Sequence, residues 1–572
     1  MKKIYLICTL FMFISSYSQR EFWGLSPTND GYSTTFGSIF KTDRNCQNAQ
    51  IVHLFDEVHG KQPIARLFLA SNGKLYGTAT KGGSFFGGGN NGGVLFEYDL
   101  IFDRYRVVAN FGGGGLTREP FTDVIEPIPG VLMGASLYRI FRYDMATETT
   151  TISVTMPEYN NGNYNLSNNV NDQFVKASDG FIYGVTVAMA GCIGSTTQAA
   201  GTIIKVNPQN NTFTQPYIFA CYPNESGNYP IGSLVEGVPG KLYGTTEVGG
   251  AYNDGVLFEF NITNNTYTKI FDFEEAVSGK SPRNLINGGN GKLYGITLQG
   301  GTDPCNPEQH LGTLFEYDVA GQTVATVINM GCDGNFSGII QPHSTLLKAS
   351  NGYIYGIGRF DSRSIFKFDP VTNTAVAANP LSTPVTGLIL DRSEGLIEVC
   401  RKPSYHYFDV DTFSPCVNTP FSFDVQNTNA TSYSWKKNGK IVPQQTTGVL
   451  NFSNITAADA GDYTCEMVNE CGTTITMVLH INVGCLGIDE MAAYKEKITL
   501  YPNPAKDVLN IKMPENGIFK VTGCTVSNML GQIIYESKAE KTQINIANYA
   551  AGMYNVTIKT DKGNWSGKFV KE

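Results

Sequence analysis

Three observations predict an all-β protein. Tyr and Phe are abundant (30 and 34 residues) and suit pleated strands, while 62 Gly with many Asn and Thr suit the turns between them. No stretch repeats apolar residues at helical spacing. Above all, one wording recurs: GKLYGTATKGGSFFGGGNNGGVLFEYD at 73–99, GKLYGTTEVGGAYNDGVLFEFN at 240–261 and GKLYGITLQGGTDPCNPEQHLGTLFEYD at 291–318. A strand-rich unit of this kind, repeated about seven times without helices, predicts a seven-bladed β-propeller. Two small β-sandwiches are expected after it.

The chain opens with the marks of a signal peptide at 1–18: Lys2 and Lys3, an apolar run over 4–14, and Ser16-Tyr17-Ser18 as a small-residue cleavage site. The run is shorter than the roughly 20 residues that span a bilayer, so no transmembrane segment is expected in the mature chain. Loss of 1–18 removes two lysines and no acid, so the net charge moves from −8 to −10. No basic patch offsets phosphates, which argues against nucleic acid as a partner class. Export also permits disulfides.

Residues 22–411 hold the repeats. The Leu-Tyr-Gly triplet stands at 75–77, 132–134, 182–184, 242–244, 293–295 and 354–356, with a degraded seventh copy at Ile397-Glu398-Val399. A second motif follows each, as VLFEYD at 94–99 or SIFKFD at 364–369. The fifth unit shows four strand-length runs, 283–287, 292–297, 313–318 and 323–328, joined first to second and third to fourth by hairpin-sized turns. Consecutive apolar residues in a strand imply that both faces are covered, and Gly after Tyr permits close approach of neighbouring strands. The runs at 38–43 and 50–55 precede any triplet, so they are expected to complete the blade begun by 388–399 and to close a ring. An open solenoid of four-stranded sheets is the alternative.

These motifs resemble the tandem GloVer repeats of exported bacterial proteins over about 37–411, with Leu-Tyr-Gly-Thr-Thr, a glycine-rich gap and a Val-Phe strand. The resemblance implies no particular activity.

Cys192 and Cys305 follow the second strand of the third and fifth units, and Cys221 and Cys332 follow the fourth, at one end of the blade. The pairings Cys192–Cys221 and Cys305–Cys332 are therefore expected, each contributing ~3 kcal/mol by restricting the unfolded chain. Second-to-third and blade-to-blade connections all leave that end and are long, whereas the other end carries short turns. Long loops on a rigid scaffold are where recognition concentrates. They offer Phe85, Phe86, Tyr159, Tyr164, Tyr222, Tyr229 and Tyr252 as candidate ligand-binding residues, suited to stacking on sugars or to protein contact; pinning of the loops is the plainer role for any one of them.

In 412–484, Trp435 and the run DAGDYTC at 459–465, with Tyr463 two residues before Cys465, resemble an immunoglobulin-type domain, a common spacer or adhesive unit. Its first core cysteine is replaced near Phe423. Cys416, Cys465, Cys471 and Cys485 allow three complete pairings among themselves. A linker is read over 485–498. In 499–572, Tyr501-Pro502-Asn503-Pro504, Gly531-Gln532, Gly552-Met553-Tyr554 and the terminal run from Lys568 resemble the type A C-terminal sorting domain of the type IX secretion system. That resemblance implies handling by the type IX machinery and a secreted or outer-membrane cell-surface location.

Signatures of catalysis are scarce. The six His form no His-Glu-x-x-His, and neither a Gly-x-Ser-x-Gly elbow nor a phosphate loop occurs. Glu97, Asp99, Glu316 and Asp318 recur at equivalent positions, which marks blade structure rather than one active site. No catalytic residue, metal ligand or cofactor is assigned; His310 and His343 are the one histidine pair on a shared loop face. The expectation is a binding or adhesion protein whose loop face recognises a glycan or protein. An extracellular propeller glycoside hydrolase or polysaccharide lyase, with paired loop carboxylates, is the alternative.

Overall fold

The computed structural model describes residues 20–27, 36–46, 48–84, 92–112, 119–136, 139–156, 174–187, 199–220, 225–302, 311–330, 340–342, 344–359, 365–378, 395–405, 411–425, 429–484, 499–512, 521–528, 532–538, 542–560 and 563–572. Among these the chain is all-β, its one helical element a 3-10 turn at Ala457–Asp459. It divides into two compact units, one of 1–407, 427–431 and 467–474, the other of 408–426, 432–466 and 475–572.

The first unit holds seven antiparallel sheets of one topology. Sheets 1 to 6 occupy 68–110, 125–155, 175–220, 228–272, 280–329 and 340–378, each a meander in chain order. In sheet 6 the first strand is broken into Ile340–Pro342 and Leu347–Lys348. Sheet 7 joins the two ends of the repeat region: Leu396–Cys400 pairs with Arg20–Ser26, which continues to Ser38–Asp43 and Gln50–Leu54.

The apolar clusters explain the recurring words. Alternation along a strand sends neighbouring side chains to opposite faces. Leu242 packs back among sheet 3 residues such as Tyr183 and Phe219, and Tyr243 packs forward with Leu285 and Phe315 of sheet 5. The same division holds at Leu75/Tyr76, Leu132/Met133, Ile182/Tyr183, Leu293/Tyr294 and Ile354/Tyr355. Each cluster thus lies between consecutive sheets. The series returns on itself, because Phe22 joins the cluster with sheet 6 and Trp23 the cluster with sheet 1. Every large side chain so buried contributes about 1.5–3 kcal/mol.

This corrects two expectations. Leu396–Cys400 is only the first strand of sheet 7, and its Ile397-Glu398-Val399 is not a triplet copy. The seventh triplet is Phe22-Trp23-Gly24, in the second strand. Gly24 stands opposite Phe40 as Gly77 stands opposite Phe96, so the position is defined by register although the letters differ.

Past sheet 7 the first unit is fastened by Cys400–Cys471, a disulfide absent from the expected pairings. Around it, Asn469 Nδ2 donates to the carbonyls of Arg401 (2.9 Å) and Asn429 (3.1 Å), and Arg401 donates to Leu100 O (2.9 Å) and Asp103 (2.6 Å). Because Cys471 pairs with a cysteine outside the set of four and Cys465 is a buried free thiol, none of the three complete pairings is formed; Cys416 is disulfide-bonded.

After 411 the strands run in the order Thr412–Phe413, Leu479–Ile481, Gly461–Asn469, Ser432–Lys437 and Lys440–Ile441, plus the pair Phe421–Asp424 and Val449–Phe452. Trp435 is buried and donates to Thr447 O (3.0 Å), and Phe423 meets its ring edge-on at 6.4 Å. Tyr463 Oη donates to Asp459 O (2.6 Å). The remainder is two sheets, of three strands within 499–545 and four within 521–571, with Leu509, Ile511 and Ile544 packed on Val526, Val556 and Phe569.

Candidate recognition face

In an antiparallel meander, turns one-to-two and three-to-four share one end, and the two-to-three connection and the exit to the next sheet share the other. At the short-turn end the acids of the repeat are paired with basic or phenolic side chains, although Glu316 Oε2 is buried without a hydrogen-bond partner. Glu97 accepts from Lys74 (2.8 Å), Tyr76 Oη (2.8 Å) and Arg106 Nε (2.8 Å). Burial alone would raise its carboxyl, but donation from Arg106, Lys74 and Tyr76 outweighs that and lowers it to about 2. Glu259 takes Lys241 and Tyr243 in the same way, and Glu316 takes Lys292. The acid closing the third strand caps the next turn: Asp99 accepts from the amides of Ile101 (2.8 Å) and Phe102 (3.1 Å), and Asp318 from Ala320 and Gly321.

Serine and glutamate link sheets at this end. Ser71, Ser178 and Ser350 each donate their amide and hydroxyl to Glu126, Glu236 and Glu398 of the following sheet.

The long-loop end is built on a feature that letter matching missed. Gln62, Glu119, Tyr229 and Ser281 have φ of 55°, 58°, 55° and 55°, each immediately before a proline. Each proline covers a glycine of the preceding sheet: a Cβ on Gly37, Gly93, Gly201 or Gly255 would lie 2.6–2.7 Å from Cδ of Pro63, Pro120, Pro230 or Pro282. Gly255 itself holds φ 102°, which an L side chain resists. The signal was present as prolines at 63, 120, 230 and 282, eleven or twelve residues before the triplets that begin at 75, 132, 242 and 293.

Tyr229 is therefore half-buried and committed to this joint. Tyr252 stands free, 55% exposed, on a loop braced by Ala251 N donating to Asp272 (2.9 Å) and Gly249 N donating to Asn253 (3.2 Å). Beside that loop Asp254 accepts from Glu275 N (2.8 Å), and Lys280 lies 3.4 Å from Asp254 and 3.3 Å from Glu275. Phe85, Phe86, Tyr159, Tyr164 and Tyr222 lie outside the described residues, as do Cys192, Cys221, Cys305, Cys332, His310 and His343.

Among the described residues one cluster has metal-ligand spacing, Cys400, Glu470 and Cys471, but its two sulfurs are bonded to each other and offer no thiolate. No described helix is long and apolar enough to cross a membrane.

The sorting-motif residues converge. Asn503 meets the last strand at Lys568 and Val570, Gly552 is opposite Lys571, and Tyr554 stacks on Phe569 at 5.5 Å while donating to Ala550 O (2.8 Å).

Two families match separate parts of the chain. Residues 138–364 match the Gloeobacter/Verrucomicrobia repeat and residues 499–572 the secretion system C-terminal sorting domain. The protein is thus an exported bacterial protein that carries these repeats and ends in a type IX sorting domain, secreted or held at the cell surface. No curated protein matches the sequence. Among solved structures it is similar to PorZ, a surface component of the type-IX secretion system of Porphyromonas gingivalis (11% identity, TM-score 0.37, 94% of this chain and 63% of that one). It is also similar to the extracellular domain of a hybrid two-component system of B. thetaiotaomicron (13%, TM-score 0.39, 80% and 55%). The chain therefore spans less than two thirds of the length of either.

Proposed function

We propose that the seven sheets form a closed seven-bladed β-propeller, that its long-loop end recognises an extracellular glycan or protein, and that 412–484 is an immunoglobulin-like spacer. The reading is of a binding protein and not an enzyme. The observation that carries it is the cyclic order of the apolar clusters, with sheet 7 built from both ends of the repeat region. In a closed ring the second-to-third-strand connections share one side, and the exposed Tyr252 stands on one of them. The repeated acids are spent on lysine, arginine and tyrosine partners at the other end, and Lys280 lies between Asp254 and Glu275 near Tyr252.

The test is the full chain on an array of plant and algal polysaccharides, scored for retention and for new reducing ends. Retention without product, weakened in Tyr252→Ala at unchanged melting temperature, is expected. Release of reducing ends from any polymer favours the hydrolase or lyase and overturns the binding reading.

A further inference from the structure

The last strand, Gly563–Lys571, is an edge strand of the four-stranded terminal sheet. Edge strands leave a row of backbone donors and acceptors open. Here the row is closed at its final residues by the Tyr-Pro-Asn-Pro-Ala segment. Val570 N donates to Asn503 Oδ1 (2.9 Å), and Asn503 Nδ2 donates to Lys568 O (3.1 Å). Ala505 N donates to Val570 O (2.8 Å), and Glu572 N donates to Ala505 O (3.0 Å). Pro502 and Pro504, which lack N–H groups, flank Asn503, so two of the segment's five residues bring no backbone donor to the covered edge.

The two anchors differ in kind. Ala505 is fully buried, whereas Asn503 is exposed. Hydrogen bonds made in water's reach add little to global stability. What Asn503 does fix is the position of the terminal strand, where Phe569 points into the core and Val570 stands outward opposite Met553, 37% and 45% exposed.

We propose that Asn503 is a positioning residue for sorting: it latches the terminal strand in the register in which the type IX machinery reads it. The inference rests on the sorting domain at 499–572 and is independent of the propeller reading.

The test compares Asn503→Ala, Asn503→Asp and the core variant Leu509→Ala in the full chain, expressed in a bacterium with a type IX system. Export, melting temperature and amide exchange over 568–572 are read together. Asn503→Ala is expected to raise exchange about tenfold and to cut export severalfold at near-normal melting temperature. Asn503→Asp, which keeps the acceptor for Val570, should fall between, and it carries the comparison if Asn503→Ala does not fold. Leu509→Ala should melt lower yet export better than Asn503→Ala. Normal export of Asn503→Ala despite fast exchange, or export that simply follows melting temperature across the three, overturns the proposal.

Discussion

The Phe258 ring lies over Gly244 of the adjacent strand, so close that a Cβ at Gly244 would come within 2.4 Å of Phe258 Cζ. Gly24, Gly77, Gly134, Gly295 and Gly356 receive the rings of Phe40, Phe96, Phe141, Phe315 and Phe366 in the same way. In six of the seven triplets the glycine is thus a socket for an aromatic ring; in the third, Gly184 stands opposite Ile204. Gly244→Ala is expected to destabilise the first unit by about 1–3 kcal/mol through overpacking. Phe258→Leu should recover part of that loss in the double variant, a coupling that denaturant melts of the four-member cycle measure directly. Additive losses would show that the ring does not fill the socket.

Glu97 ties pH to stability. Its folded carboxyl sits at about 2 against an ordinary 4.5, so it contributes stability that is complete above about 4.5 and is lost as pH falls through 2. Glu97→Gln should therefore be less stable than the parent at neutral pH and show a shallower loss between those values. Melting temperatures of the two proteins across that window check it; parallel curves would contradict it.

The Cys400–Cys471 bridge closes a loop of 71 residues in sequence separation. Replacing both cysteines with serine should cost about 2–4 kcal/mol by freeing the unfolded chain. Peptide mapping of the unreduced protein should recover a fragment joining the two positions, and a free thiol at either would refute the assignment.

The physical jobs of residues decide how much of this could be read beforehand. Leu-Tyr-Gly and Leu-Phe-Glu-Tyr-Asp stood out because every letter in them is constrained. Leu packs backward and Tyr forward, Gly lies under Phe, Glu holds Lys and Tyr, and Asp caps the turn. The proline joint did not stand out, since only proline and the glycine it covers are constrained and KQPI, REPF, NYPI and KSPR share little else. Phe22-Trp23-Gly24 fills the triplet's place with different letters, far from the other copies in sequence. Cys400 and Cys471 meet through tertiary packing, which spacing does not encode. Among the proposed recognition aromatics, Tyr229 and Tyr252 look alike as letters, yet backbone geometry half-buries one and leaves the other in solvent.

Closure of the ring is the central claim, and Arg44 offers a direct probe because it lies 3.8 Å from Glu398, where the two ends of the repeat region meet in sheet 7. Arg44→Lys treated with a carbodiimide should yield, in the monomer, a peptide covalently joining residues 44 and 398. Absence of that link in the folded monomer, or its appearance only between molecules, would contradict the closed arrangement.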